Sequence, residues 1–290
     1  MGYGSIPDEP EFGAGSEAPA QVTPLSERGG ARVPTITSGV AADVHVEYLL
    51  RLADDRLVLG QRLSEWCGHA PILEEDIALA NIALDLIGEA ALLLEHAGAL
   101  EGAGRTNDHL AFLRDETAFR NVQLVELPNG DFAVTVARLF VYSALQLPLL
   151  TALEQSGDAT LAGIAAKARK ECTYHLRHAA DWMLKLGDGT AESHARAQAA
   201  LDYLWPYVHE LTWGDAVDDA MVAAGVAVDV RTLADAWRSN VERVVAAATL
   251  TLPVDGWKAA GGRVGKHTEH LGHLLAEMQL LPRSHPGAAW

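Results

Sequence analysis

The chain has 290 residues, of which 49% are hydrophobic, so it can bury the core of one large domain or two small ones. Asp and Glu number 39 against 22 Lys and Arg, and the formal net charge of -17 opposes nucleic acid or an anionic membrane as the main partner. Cys67 and Cys172 are too few for a disulfide framework, and the sequence has neither a signal-peptide pattern nor a run of about 18 apolar residues. These features predict a cytoplasmic protein that does not span a membrane.

The N-terminal segment differs in composition from the rest of the chain. Residues 1–40 are rich in Gly, Pro, Ser and Ala and lack any helical periodicity. We therefore predict a disordered tail over residues 1–40, followed by one helical domain over residues 41–290.

The domain begins with two long predicted helices. From Val44 onward, apolar residues recur every three or four positions, which predicts a helix that ends before Gly68. A second helix opens with the acidic turn after Pro71 and is predicted to end at Gly98. Because the turn between them is short, the two helices should be antiparallel neighbours.

A broken segment leads to two further long helices. Residues 101–130 should contain a short helix at 112–119 and a turn at the sequence PNG. The third long helix covers residues 131–157 and contains Pro148, which predicts a kink. The fourth runs from Ala159 to Gly187, with Asp158 as its N-cap.

Shorter helices complete the chain, and they are predicted at residues 192–211, 215–224, 230–248 and 267–281. No segment alternates as a strand does. The predicted fold class is therefore all-α, a ferritin-like helical bundle with extra C-terminal helices.

A bundle of this kind commonly holds two iron ions through carboxylates and Glu-x-x-His pairs. Counted from the turn near Ala70, Asp54 and Asp85 lie level on the first two helices. The position three after Asp85 is Gly88, where histidine is needed, and the position three after Glu171 is Tyr174. No metal is therefore expected at these degenerate positions.

The remaining polar groups do not repair this pattern. On the third long helix, the polar residues at the matching depth are Tyr142, Ser143 and Gln146. Buried carboxylates without a metal need cations, and the candidates near in sequence are Arg56, Arg138 and Lys170. These acids should form salt bridges or hydrogen bonds that replace a metal.

Two histidine clusters leave alternatives open. His175 and His178 lie one turn apart beside Glu171 and are the fallback ligands if a metal is bound after all. In HTEHLGH, histidines recur every three residues at His267, His270 and His273, with Glu269 between them. That spacing drifts around a helix and lacks the HExxH order, so we interpret it as a surface or docking helix rather than a zinc site.

A resemblance to a known family is carried by four long blocks: YLLRLADDRLVLGQRLSEWCGHAPILEEDIALANIALDLIG, RDETAFRNVQLVELPNGDFAVTVARLF, YHLRHAADWMLKLGDGTAESHARAQAALDYLWPY and HTEHLGHLLAEMQLLPRSHPGAAW. Over nearly all of residues 44–290, the chain resembles the C-subunit (PaaC) family of phenylacetyl-CoA epoxidases. The resemblance implies a ferritin-like subunit of a multicomponent monooxygenase in aerobic phenylacetate catabolism.

The same resemblance implies the division of labour in the complex. The di-iron centre is expected in the catalytic A subunit, the supply of electrons in a separate reductase subunit, and no cofactor in this chain. The expected role is structural: its first two helices and its C-terminal helix would pack against the A subunit. Two alternatives stay open, namely a metal-binding oxygenase in its own right and a free-standing binding or storage bundle.

Overall fold

The computed structural model describes residues 41–288, so the tail predicted over residues 1–40 lies outside the described part of the chain. Within it, helices are the regular secondary structure, and residues 41–288 contain no strand. The predicted all-α class is confirmed. The helices are α1 (Ala42–Ser64), α2 (Leu73–Glu101), α3 (Asn107–Phe112), α4 (Gln123–Glu126), α5 (Phe132–Leu153), α6 (Ala159–Gly187), α7 (Ala191–Leu204), α8 (Ala216–Ala223), α9 (Ala234–Ala247), α10 (Glu269–Met278) and α11 (Leu280–Ser284).

Four long helices form the core of the fold. Helix α1 packs along α2, α5 packs along α6, and α2 contacts α6, which closes a four-helix bundle. Helices α7 and α9 lie against α5 and α6, whereas α8 and α10 contact α1. Because it is covered by α2, α8 and α10, α1 has 17 buried residues out of 23 and is the central helix.

Side-chain caps fix where the later long helices begin. The Asp158 carboxylate accepts hydrogen bonds from the backbone N–H groups of Thr160 at 2.9 Å and Leu161 at 3.1 Å, so α6 begins where the sequence predicts. Asp131 caps α5 by accepting from the Val134 N–H at 3.1 Å. Pro148 lies inside α5.

The connection between α2 and α5 corrects two predictions. Helix α2 does not end at Gly98 but at Glu101, and Gly102 takes the left-handed conformation with φ 68°. Gly98 has a different role, because a Cβ there would overlap the carbonyl oxygen of Arg105. The short α-helix expected at residues 112–119 lies earlier, since Thr106 forms a capping box with His109 and starts α3 there. The predicted range itself contains a single 3-10 turn, Glu116–Ala118.

In the described part of the chain, two helices, α2 and α5, are long and apolar enough to cross a membrane by length and composition alone. Helix α5 is largely enclosed by the bundle, which is the ordinary reason for such a composition in a core helix. In α2, less than half of the apolar segment is buried. It therefore keeps an apolar outer face, which is available for a contact outside this chain.

Candidate functional site

The middle of the four-helix bundle contains a layer of polar side chains, one or two from each long helix. Helix α1 contributes Arg56 and α2 contributes Glu89. The other members, on α5 and α6, are Tyr142, Gln146, Cys172 and His175. All six side chains are buried, so the chemistry of this layer is decided by how its members pair with one another.

Arg56 organises this central layer. Its Nε donates to Glu89 Oε2 at 2.6 Å, Nη1 donates to the Leu52 carbonyl at 2.8 Å, and Nη2 donates to Gln146 Oε1 at 3.1 Å. Burial opposes the charged guanidinium, but the carboxylate of Glu89 favours it, and the pKa of Arg56 is raised above its ordinary value. A permanent positive charge therefore lies in the centre of the bundle.

The neighbouring groups are chemically inert at neutral pH. Burial raises the pKa of the Cys172 thiol to about 12, so the thiolate that binds metals or attacks electrophiles is absent. Burial also raises the pKa of Tyr142. The layer encloses a cavity of about 10 Å³, which is about the space that one water molecule needs and far less than a substrate needs.

Asp54 and Asp55, just before Arg56, are both committed to salt bridges. The Asp54 carboxylate pairs with both terminal nitrogens of Arg114 and accepts the Arg120 N–H at 2.8 Å. Asp55 pairs with Arg263 at 2.8 Å and accepts the Val122 N–H at 2.8 Å. These two acids hold the α2–α5 connection and the C-terminal region against α1.

The structure corrects the helix register assumed for the metal positions. Gly88 lies on the outer side of α2, where a Cβ would meet nothing within 4 Å, and Tyr174 is 42% exposed and stacks on His178. Glu171 pairs with Lys167 at 2.8 Å. Because each residue turns an α-helix by about 100°, the positions that face the centre are the next ones along the chain: Leu86 and Glu89 on α2, and Cys172 and His175 on α6.

The four acidic or aromatic positions predicted from the sequence are therefore not brought together. Asp54 lies in its own salt bridge with Arg114, and Asp85 lies at the margin of the bundle, where its Oδ2 is 3.0 Å from His175 Nε2. Tyr174 faces outward, whereas Glu171 is half-buried, with its side chain 22% exposed and its Oε2 buried. Of the interior set expected from the sequence, Asp54 is fully buried and Tyr174 is exposed. The Arg56 layer lies at the centre of the bundle.

The two fallback histidines separate in the structure. His175 is buried and connects the central layer to Asp85. His178 lies 3.1 Å from Glu75 Oε2, and burial lowers its pKa despite that carboxylate. They have different partners and do not form a common site.

The cations predicted as partners for the buried acids also differ. Arg56 pairs with Glu89, not with the three acids singled out in the sequence. Arg138 binds the Leu127 carbonyl and the Asn129 side chain, and burial lowers its pKa to about 9. Lys170 is exposed on α6.

The residues of the central layer do not fit a di-iron centre. Such a centre needs a carboxylate from each of two helices and a Glu-x-x-His pair from each of the other two. Here the layer provides one carboxylate, Glu89, and one imidazole, His175. The residue from α1 is a guanidinium, which has no lone pair to give and repels a cation.

The C-terminal histidines were interpreted as a surface or docking helix, and His267 is not on the surface. Its Nδ1 lies 3.0 Å from Glu126 Oε2 and its Nε2 lies 3.1 Å from the Phe119 carbonyl, with the side chain fully buried. Burial opposes the charged ring, but Glu126 and the carbonyl outweigh it and raise the pKa of His267. His273, by contrast, is exposed.

The contact between His267 and Glu126 predicts that the stability of the fold depends on pH. A histidine whose pKa is raised on folding stabilises the fold fully below its unfolded pKa of about 6.5, and this contribution is lost as the pH rises through the folded pKa. Urea unfolding between about pH 6 and pH 9 should therefore show a larger loss of stability for the wild type than for His267→Gln. His273→Gln is the control and should follow the wild type. If the free energy of unfolding changed equally with pH in the wild type and in His267→Gln, the stabilising role of protonated His267 would be contradicted.

Sequence reasoning missed the Arg56–Glu89 pair, although one signal was available. Cys172 and His175 have the same spacing as Glu-x-x-His and lie one residue after Glu171 and Tyr174. Glu89 likewise follows Leu86 by three. In this register, a cysteine and a leucine occupy the two carboxylate positions.

Comparison with known proteins gives two findings. The family described as "Phenylacetic acid catabolic protein" matches residues 35–290. The C subunit of the 1,2-phenylacetyl-CoA epoxidase of Escherichia coli (strain K12) is 50% identical over 243 residues, which cover 84% of this chain and 98% of that protein.

Proposed function

This chain belongs to the phenylacetic acid catabolic protein family, and from that membership we propose that it is the structural, non-catalytic C-type subunit of a phenylacetyl-CoA epoxidase. Its partner is a catalytic A-type subunit that holds the di-iron centre. In the complete complex, further subunits include the reductase that supplies electrons.

The observation that carries the non-catalytic role is the Arg56 layer. A di-iron oxygenase needs ligands, an open coordination site and room for substrate at the centre of its bundle. This chain has instead a guanidinium paired with Glu89 and a cavity no larger than a water molecule. An internal ion pair in place of ligands is suited to holding four helices together, not to oxygen chemistry.

The surface that fits a partner lies on α2. Its outer side carries an apolar stripe in which residues recur every three or four positions: Leu73, Ile77, Ala80, Leu84, Gly88 and Ala91. The large members are well exposed, Leu73 at 73%, Ile77 at 54% and Leu84 at 67%. A stripe with this spacing is the pattern with which one helix packs along another.

Gly88 supports the same interpretation. Glycine inside a helix costs about 1 kcal/mol relative to alanine. Among residues 41–288, the open side of Gly88 meets no neighbour within 4 Å, so packing within this part of the chain does not require a glycine. In the middle of the stripe, it lets the backbone of a partner helix approach α2 closely.

Of the helices that the sequence suggests for the interface, α2 is therefore the one with an exposed apolar stripe. Helix α1 is central and buried, and has little surface to offer. The C-terminal segment is attached to this chain through His267 and Glu126. We propose that the α2 stripe packs against helices of the A-type subunit. The net charge of -17 opposes nucleic acid as a partner.

The interface is tested by charging the stripe. Leu84→Asp should leave the isolated chain folded, because the side chain is exposed, and should weaken the complex with the A-type subunit by about tenfold or more. Affinity is measured between purified subunits. Val254→Asp is the matched control, since this apolar residue is 92% exposed and lies outside the helices. Equal affinity for the wild type and Leu84→Asp would rule out the α2 stripe as the interface.

The cytoplasm is the proposed location. Both cysteines are free, Cys67 on the surface and Cys172 in the core. Free thiols are stable in a reducing compartment, where a reductase-fed oxygenase also operates.

A further inference from the structure

A second polar cluster lies at the end of the bundle where α1 begins, α2 ends and α6 begins. It consists of His45, His96 and Asp158, and all three are buried. Asp158 Oδ2 is 2.6 Å from His96 Nε2 and 3.0 Å from His45 Nε2. Among residues 41–288, this is the group of three histidine, cysteine or acidic side chains whose ligand atoms all lie within 4.8 Å of one another.

The cluster is separate from the central layer. His45 precedes Arg56 by eleven residues on the same helix, which corresponds to roughly 16 Å at 1.5 Å per residue. None of its members takes part in the Arg56 network. A role for this cluster therefore goes beyond the proposed function and does not depend on it.

The donor set is suited to a divalent transition cation. Two imidazole nitrogens and one carboxylate oxygen are ligands that zinc, and metals of similar character, bind in proteins. Asp158 is already oriented for this, because its other oxygen, Oδ1, accepts the N–H groups of Thr160 and Leu161. Hydrogen bonds to the second oxygen hold a ligating carboxylate in place and leave Oδ2 to face the two histidines.

One atom in the cluster lacks a satisfactory partner. His45 Nε2 is buried and lies 3.0 Å from Asp158 Oδ2, but the contact lacks hydrogen-bond geometry. A buried polar atom without a hydrogen bond is destabilising. A cation bound between Nε2 of His45, Nε2 of His96 and Oδ2 of Asp158 would give this nitrogen a partner, with each ring proton then carried on Nδ1.

We propose that His45, His96 and Asp158 form a binding site for one divalent transition cation of the zinc class. The fourth position is taken by water, as expected when a protein supplies three ligands. Because the ligands come from the start of α1, the end of α2 and the N-cap of α6, the bound cation cross-links three helices. It stabilises the fold and takes no part in oxygen chemistry.

The test uses the full chain after chelation and dialysis, titrated with Zn²⁺ and with Co²⁺. The wild type should bind one equivalent of Zn²⁺, melt at a higher temperature with it, and give the visible absorption of Co²⁺ bound by nitrogen and oxygen. His96→Gln and His45→Gln should abolish stoichiometric binding. His273→Gln, which changes an exposed histidine elsewhere, should bind as the wild type does.

A conservative variant covers the case in which a histidine variant fails to fold. Asp158→Asn keeps a good helix N-cap while removing the charge. Loss of a residue that only hydrogen-bonds a metal ligand weakens metal binding roughly 10–100-fold. Because Asp158 is itself a ligand, Asp158→Asn should weaken Zn²⁺ binding by more than this. Failure of the folded wild type to bind one equivalent, or unchanged affinity in folded Asp158→Asn, would overturn the proposal.

Discussion

Arg56→Met should lower the free energy of unfolding by roughly 3–5 kcal/mol, because it leaves the Glu89 carboxylate buried without its counter-charge. Burial already raises the pKa of Glu89, and Arg56 is what opposes this. In the variant, the pKa of Glu89 should rise further, and protonation of this carboxyl group moves the loss toward the lower end of the range. Chemical denaturation measures the loss, and it should grow with increasing pH.

The double variant Arg56→Met with Glu89→Leu distinguishes a costly unpaired charge from a network that the fold cannot replace. Removing both charges should recover most of the stability, since buried ion pairs are often matched or exceeded by apolar residues of similar size. A double-mutant cycle then gives a coupling energy of at least about 2 kcal/mol. Additive losses would show that Arg56 and Glu89 do not act as the pair seen in the bundle.

Asp54→Ala should cost roughly 3–5 kcal/mol as well, through a different contact. The substitution leaves the buried Arg114 guanidinium without its counter-charge and removes the acceptor of the Arg120 N–H. Because these bonds attach the α2–α5 connection to α1, hydrogen exchange should accelerate over residues 107–122 before it does so in α5 or α6. Assembly with the A-type subunit should weaken only as far as the chain unfolds.

Glu171→Ala is the matched control for this prediction. Glu171 and Asp54 are both degenerate metal positions in the sequence. Glu171 nevertheless keeps a side chain that is 22% exposed and pairs with the exposed Lys167, whereas Asp54 is fully buried. Its removal should change stability by no more than about 1 kcal/mol. If Asp54→Ala proved as mild as Glu171→Ala, the structural role assigned to Asp54 would be wrong.

Local chemistry allowed much of the fold to be predicted from the sequence. The Asp158 cap placed the start of α6 correctly, and the acidic turn after Pro71 marked the start of α2. The end of α2 was misplaced because Gly98 resembles a helix stop, whereas in the fold it allows close approach by Arg105. Only the tertiary neighbour distinguishes these two uses of glycine.

The site was harder to predict because it depends on helix register and on distant partners. The positions that face the centre of the bundle are one residue later than the sequence predicts. They are Leu86 on α2 and Cys172 on α6, in place of Asp85 and Glu171. The partner of Asp54 is Arg114, 60 residues away in the chain, and no local pattern points to it. Neither Glu-x-x-His pair is present at the positions singled out in the sequence, and no local pattern indicates that a guanidinium lies in the centre.

We propose that this chain supports an epoxidase without carrying out its chemistry. The most direct test measures iron content and epoxidation of phenylacetyl-CoA for this chain alone, for its His175→Ala variant, and for the chain co-expressed with its A-type subunit. We predict no epoxidation by the chain alone, no iron that depends on His175, and an active iron-bearing complex. Stoichiometric iron in the isolated chain that is lost in His175→Ala, or epoxidation by the chain alone, would contradict the claim.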